Sequence, residues 1–212
     1  MISPSESTRI LGIIFQNNLR WTKHINKCIS SANSMFLSIK YISKFLTKNQ
    51  LRTAINAHFV SKLTFASTVW NKVITSKERK KLSVNLNRVA RLLCPVKAIS
   101  RNKKISNKTL YETSGLRSLT SLCTIADCSM LYRLCTGLNV EPLCERLLSQ
   151  CHTNDRYSKK LHFFNYSRTK IGCNSFVNRS KFIAELLTFD WLHLNPLNFK
   201  LKLCERAPFN MK

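Results

Sequence analysis

The chain has 212 residues, 44% of them hydrophobic, enough to bury a core and too many for a disordered tail. Lys and Arg number 35 against 10 Asp and Glu, and a formal charge of +25 on one chain calls for a polyanion partner. Four glycines and five prolines are too few for an all-β fold with its many turns, and four isolated glycines build neither a P-loop nor a dinucleotide fingerprint.

The charge is uneven. Residues 1–106 hold 20 basic and 2 acidic side chains, net +18, and residues 107–212 hold 15 and 8, net +7. The first half is therefore the better candidate for phosphate contacts. Nine cysteines, an odd number with no apolar leader before them, point to reduced thiols and a nuclear or cytoplasmic location. No run reaches the length of a membrane span, so no membrane partner is expected.

In chain order, Ile10–Phe15 is a short β-branched run that predicts a buried strand, closed by a turn at Gln16–Asn18. A lone strand needs a partner, and none is visible before it, which points to a fragment. From Trp21 to Leu46 the pattern is helical. Ile25, Cys28, Ile29, Ala32, Met35, Phe36, Ile39, Ile42 and Leu46 share one face, and Lys23, Lys27, Ser30, Ser34, Ser38, Tyr41 and Lys44 the other. Thr47-Lys48-Asn49-Gln50 has capping-box spacing for a second helix, with Leu51, Ile55, Phe59, Ala66, Val69 and Trp70 inward and a bend near Ser61-Lys62. Ser76 opens a third helix, which Pro95 ends; Leu82, Leu86, Val89 and Leu93 oppose Lys80, Lys81, Arg88 and Arg91.

A basic connector follows over Val96–Asn107. Beyond it a short helix is predicted over Thr109–Ser114. A longer one over Leu119–Thr136 is apolar nearly all round, hence buried, with Gly137 as its cap. Pro142–Gln150, Phe182–Leu187 and Pro196–Cys204 look helical, Cys151–Arg156 a polar loop, and Leu161–Phe164 a strand.

Two-metal polymerase chemistry needs converging aspartates. Only Asp127, Asp155 and Asp190 occur; none are adjacent, and all three read as structural. Cys144, Cys151, His152 and Cys173 could in principle ligate zinc, but no C-x-x-C pair is present, and Cys123, Cys128 and Cys135 fit core packing better. No cofactor is implied. The basic helix faces carry what chemistry remains: Lys23, Lys27, Lys44, Lys80, Lys81, Arg88 and Arg91 to meet phosphates, with Trp21, His24 and Tyr41 to stack on sugars or bases. The plain alternative is a solvated face, with Trp21 in the core.

The segment Arg9-Ile10-Leu11-Gly12-Ile13-Ile14-Phe15, a turn, and Leu19-Arg20-Trp21-Thr22-Lys23-His24-Ile25 resembles the palm-to-thumb passage of reverse transcriptases of non-long-terminal-repeat (jockey-like, LINE-type) retrotransposons, in which an "LG" strand precedes "LxWxxHI" and a long helix. Ala57 to Trp70 is similar to that family's helix ending in "Y(A/G)xxxW", with Phe65 in place of tyrosine. Asn174–Ser180, Trp191 and Phe199-Lys200 resemble its closing segment. The resemblance implies a thumb that holds a template–primer, with Leu11 and Gly12 beside the primer grip. The fingers, most of the palm and the paired aspartates would lie upstream.

The expected fold is thus mainly α: a palm-derived strand (1–16), a thumb-like helical bundle (17–96), a basic connector (97–107) and a second, mostly helical region (108–212). The expected function is nucleic-acid binding, to an RNA–DNA hybrid or RNA, by the C-terminal part of an RNA-directed DNA polymerase that is inactive without its palm. The alternatives are a stand-alone RNA- or DNA-binding helical protein and a zinc-binding structural module.

Overall fold

The computed structural model describes residues 5–94, 106–136, 151–153, 161–163, 175–176, 179–180, 183–184, 187 and 194–206. The protein is mostly helical with a short two-stranded antiparallel sheet at its N-terminus. It divides into two compact units. The first contains residues 5–66, 73–94 and 106–122; the second contains 67–72 and the described residues from 123 onward. This division differs from the one expected at the basic connector. Residues 107–122 go with the first unit, and the short stretch 67–72 goes with the second.

The expected lone strand is two strands. β1 (Ser7–Ile10) and β2 (Ile13–Gln16) pair with each other in the register Ser7↔Gln16 to Ile10↔Ile13. Leu11 and Gly12 form the two-residue loop with φ of 48° and 85°, the doubly positive geometry whose twist matches that of a hairpin. The strand therefore needs no partner from elsewhere. Nor is it buried: β2 is half-exposed and β1 mostly exposed.

Helix α1 runs Thr22–Ile42 and buries Ile25, Cys28, Ala32, Phe36 and Ile39, the face that the periodicity defines. Ile42 escapes that face and is exposed, because the helix ends there and the chain turns over 43–45. Thr47 caps α2 (Lys48–Ala54) with both halves of the capping box: its hydroxyl accepts from the Gln50 amide, and Gln50 Oε1 accepts from the Thr47 amide at 2.9 Å. The helix then widens into a π-helical stretch (Ile55–Val60) and one further turn, α3 (Ser61–Leu63). The change of direction falls just after the predicted bend, over 64–66, where Ala66 takes a positive φ.

α5 (Ser76–Ala90) opens at Ser76 as expected, with Thr75 as its cap, and a 3-10 turn (Arg91–Leu93) follows it. Its Leu82, Leu86 and Val89 are fully buried. With Ile25, Ala32, Phe59 and Leu63 they make the apolar core of the first unit. Burial of one such side chain contributes about 1.5–3 kcal/mol. α6 (Asn107–Ser114) completes the unit and ends at Gly115 with φ of 68°. Most of the predicted connector lies outside the described residues.

In the second unit, α4 (Ser67–Trp70) buries Trp70 completely. α7 (Leu119–Cys135), of which residues 123–135 belong to this unit, carries buried residues around most of its circumference, as its apolar pattern requires, and only Arg133 along it is exposed. Cys128, Leu131, Tyr132 and Leu134 pack with Ile183, Leu187, Phe199 and Leu203, the last two from α8 (Pro196–Arg206). The Tyr132 and Phe199 rings stack at 4.2 Å, and the Tyr132 hydroxyl donates to the Leu194 carbonyl. Cys151–Thr153, expected in a polar loop, forms strand β3. It pairs antiparallel with β4 (Leu161–Phe163), so a predicted strand found its partner in a segment whose polarity concealed it. The helix predicted over 142–150 and the Gly137 cap lie outside the described residues.

Asp127 and Arg179 form a buried ion pair at 2.8 Å, and the same guanidinium donates to the Thr68 carbonyl. Burial pushes the Asp127 carboxyl up, against the pull of Arg179 and the Asn71 amide. Asp127 is thus committed to Arg179 inside the second unit. Asp155 and Asp190 lie outside the described residues.

Candidate nucleic-acid interface

The start of α1 is built from three directions. Trp21 offers no capping side chain, so Gln16 of β2 supplies the acceptor for the Lys23 amide at 2.9 Å. Thr22 Oγ1 donates to Glu78 Oε1 at 2.6 Å. The other Glu78 oxygen accepts from the Thr75 amide at 2.8 Å and the Thr75 hydroxyl at 2.9 Å. One carboxylate therefore joins the N-terminal turns of α1 and α5, where it also meets the positive ends of both helix dipoles. Burial alone would push the Glu78 carboxyl up; its hydrogen bonds with Thr22 and Thr75 outweigh that and hold it below the usual range. Further along, the Arg88 guanidinium lies over the Phe36 ring at 4.2 Å. The two helices therefore lie side by side and run in the same direction, with their basic faces on one unit.

The predicted site residues divide into three groups. Lys44, Lys80, Lys81 and Arg91 are exposed and have no ion-pair partner among the described residues, and Tyr41 is 73% exposed. Lys23, Lys27, Arg88 and Trp21 are partly committed. Lys23 pairs with Glu6 at 3.1 Å and donates to Ser7 Oγ; Lys27 is half-buried; Arg88 covers Phe36; and Trp21 sets its edge against Phe15 at 5.4 Å. Trp21 is thus half-buried, neither wholly core nor wholly exposed.

His24 corrects the expectation outright. It is 1% exposed, so neither face of its ring is open for stacking. Its Nδ1 accepts from the Ile14 amide at 3.4 Å, its Nε2 lies 3.5 Å from Cys28 Sγ, and its ring packs beside Trp21 and Phe65. It fastens the hairpin to α1 and to the turn after α3. Burial pulls the imidazole below its usual value and pushes the Cys28 thiol up to about 11. Both partners are therefore neutral at pH 7, and the pair lacks the thiolate a nucleophile needs.

Leu11 and Gly12 sit at the hairpin tip. Leu11 is 91% exposed, and a Cβ on Gly12 would lie 3.4 Å from the Phe65 ring. Among the described residues no three His, Cys, Asp or Glu side chains gather as a metal site, and no helix is long and apolar enough to cross a membrane. Cys144 and Cys173 of the weighed zinc set lie outside the described residues.

Two features of this surface were missed in the sequence. Lys48 Nζ donates to the Thr113 carbonyl at 3.1 Å and Arg52 Nε to the Ser114 carbonyl at 3.2 Å, so both cations neutralise the carbonyl end of α6. Leu37 is 66% exposed on the same side of α1 as Tyr41, and Phe45, in the turn after the helix, is 77% exposed with its ring 6.5 Å from that of Tyr41. Their four-residue spacing was legible; their place among polar neighbours hid it. No family model, curated protein or solved structure matches the chain.

Proposed function

We propose that the first unit grips the phosphate backbone of nucleic acid, in the manner of the thumb of the retrotransposon-type reverse transcriptases that the sequence resembles, and that the chain by itself does not polymerise DNA. The observation that carries the reading is electrostatic. No carboxylate occurs between Glu6 and Glu78, and the first of these is paired with Lys23 while the second is enclosed by Thr22 and Thr75. Exposed Lys80 and Lys81 on α5, Arg91 in the 3-10 turn after it and Lys44 in the turn after α1 thus face solvent with little acidic compensation. Each phosphate neutralised releases a counterion, so affinity for an RNA–DNA hybrid falls with salt by a log–log slope of about 0.7–0.9 per contact.

Changing Lys44, Lys80, Lys81 and Arg91 together to Gln reduces that slope by about 3 if each meets one phosphate, and leaves the helical content intact. An unchanged slope would show a merely solvated face. Equal loss per residue on changing Lys200 and Lys202 would show that the charge split misleads. Template-dependent nucleotide incorporation above a no-protein control would contradict the absence of polymerase activity.

A second reading, a stand-alone helical nucleic-acid-binding protein, draws support from the hairpin that pairs with itself.

A further inference from the structure

The side of α1 that turns away from the core is not uniformly polar. Leu37, Tyr41 and Phe45, four residues apart, are 66%, 73% and 77% exposed and form one stripe along the end of the helix and the turn after it. Water around three large apolar side chains is costly, and a stripe of this kind marks a contact surface. The Tyr41 and Phe45 ring centroids are 6.5 Å apart with planes inclined by 59°, so neither ring covers the face of the other. Lys40 and Lys44 are exposed at the edge of the stripe and have no ion-pair partner among the described residues.

Charge selects the occupant. The chain carries +25, and the 7–77 stretch around the stripe has no carboxylate, so a second copy of the chain is repelled. A protein groove that seated this ridge would need acidic rims to meet Lys40 and Lys44. Two exposed rings with lysines alongside match a strand whose bases are unstacked, because rings accept the faces of bases while ammonium groups meet the intervening phosphates. A blunt duplex keeps its bases stacked inside and has no face to offer.

We infer that Leu37, Tyr41 and Phe45 form a stacking surface for the unpaired bases of single-stranded nucleic acid, held in place by Lys40 and Lys44. The inference rests on the nucleic-acid reading above and adds to it a preference for a strand that leaves the duplex.

The test measures fluorescence anisotropy of the whole chain with three labelled probes: a single-stranded oligonucleotide, an abasic strand of equal length and charge, and a blunt RNA–DNA hybrid. Wild type and Tyr41→Ala/Phe45→Ala are compared, with circular dichroism to confirm equal helix content; both side chains are exposed, so folding should be preserved. The expected result is a loss on the order of tenfold for each base stacked on the single strand, with the abasic strand and the hybrid changed less than about twofold.

Equal loss on all three probes, or none on the single strand while the hybrid still binds with a steep salt slope, overturns this inference and leaves the backbone grip standing. Failure of wild type to bind any probe at low salt overturns both. Binding of an acidic amphipathic peptide that is lost in the variant, with the single strand unaffected, would reassign the stripe to a protein partner.

Discussion

In the first unit the polar side chains that matter sit at helix ends. Glu78 joins the starts of α1 and α5, Thr47 and Gln50 close the start of α2, and Lys48 and Arg52 meet the carbonyl end of α6. In the second unit the polar pair sits inside, with Asp127 and Arg179 both buried and bonded to each other. Groups at helix ends satisfy orphan backbone donors and acceptors while keeping water nearby, so each contributes modestly and can be lost singly. A buried ion pair contributes little net stability over an apolar pair, but losing one partner leaves a charge stranded. The first unit should therefore weaken by small steps and the second by one large one.

The sharpest way to break that contrast is Asp127→Ala. It leaves the Arg179 guanidinium buried without its carboxylate and should cost about 3–5 kcal/mol in calorimetric unfolding, whereas Asp127→Leu with Arg179→Met should recover most of the loss. A cost below about 1 kcal/mol for the single change would mean that solvent reaches the pair. Next, Glu78→Ala removes the second half of a capping box and the Thr22 tie, with an expected cost of about 1–3 kcal/mol in urea denaturation. A neutral result would mean that water replaces the carboxylate at both helix ends.

The same site gives a pH signature. His24 and Glu78 both titrate below their ordinary values of 6.5 and 4.5 in the folded chain. Each therefore favours folding above that ordinary value, and the benefit is lost as pH falls through the depressed one. Stability should decline in two stages on acidification, the first beginning near pH 6.5 and absent in His24→Gln, the second below 4.5 and absent in Glu78→Gln. A melting temperature flat from pH 7.5 to 5 in wild type would refute the His24 assignment.

A smaller effect is expected at Gly115. Its positive φ strains any L side chain, and a Cβ there would come within 2.8 Å of the Arg52 guanidinium, which is able to swing aside. Gly115→Ala should cost about 1–2 kcal/mol, and more than Arg52→Ala if the backbone strain dominates. Finally, thiol labelling of the native chain should modify Cys204 and Cys135, both half-buried, well before Cys123 and Cys128, which are fully buried. Burial pushes the Cys128 thiol up to about 12, so it lacks the reactive thiolate as well as access. Labelling of Cys128 at the rate of Cys204 would show that the second unit opens readily.

Local pattern was enough wherever one element decides its own outcome. The buried face of α1, the Thr47 capping box and the all-round burial of α7 follow from spacing of 3.6 residues per turn and from side chains that bond their own backbone. The Thr75 to Glu78 box was equally readable, since its spacing is the same. The hairpin was not, because Leu11 takes a left-handed conformation that leucine rarely adopts, and the apolar run looks continuous. Nor was the fate of His24. Its chemistry suits a ligand or a core equally well, and only the arrival of Ile14, Phe65 and Cys28 around it made it a buried fastener.

The sequence by itself determined the charge, its concentration in the first half and the helical periods, because composition and spacing are properties of the chain alone. Tertiary structure alone decided which cations remain exposed, since Glu6 lies 17 residues from Lys23 and Phe36 lies far in sequence from Arg88, yet each pair meets. It also brought Arg179 to Asp127 across 52 residues. Such pairings follow from how faces pack, and packing is a relation between elements that no single stretch of chain contains.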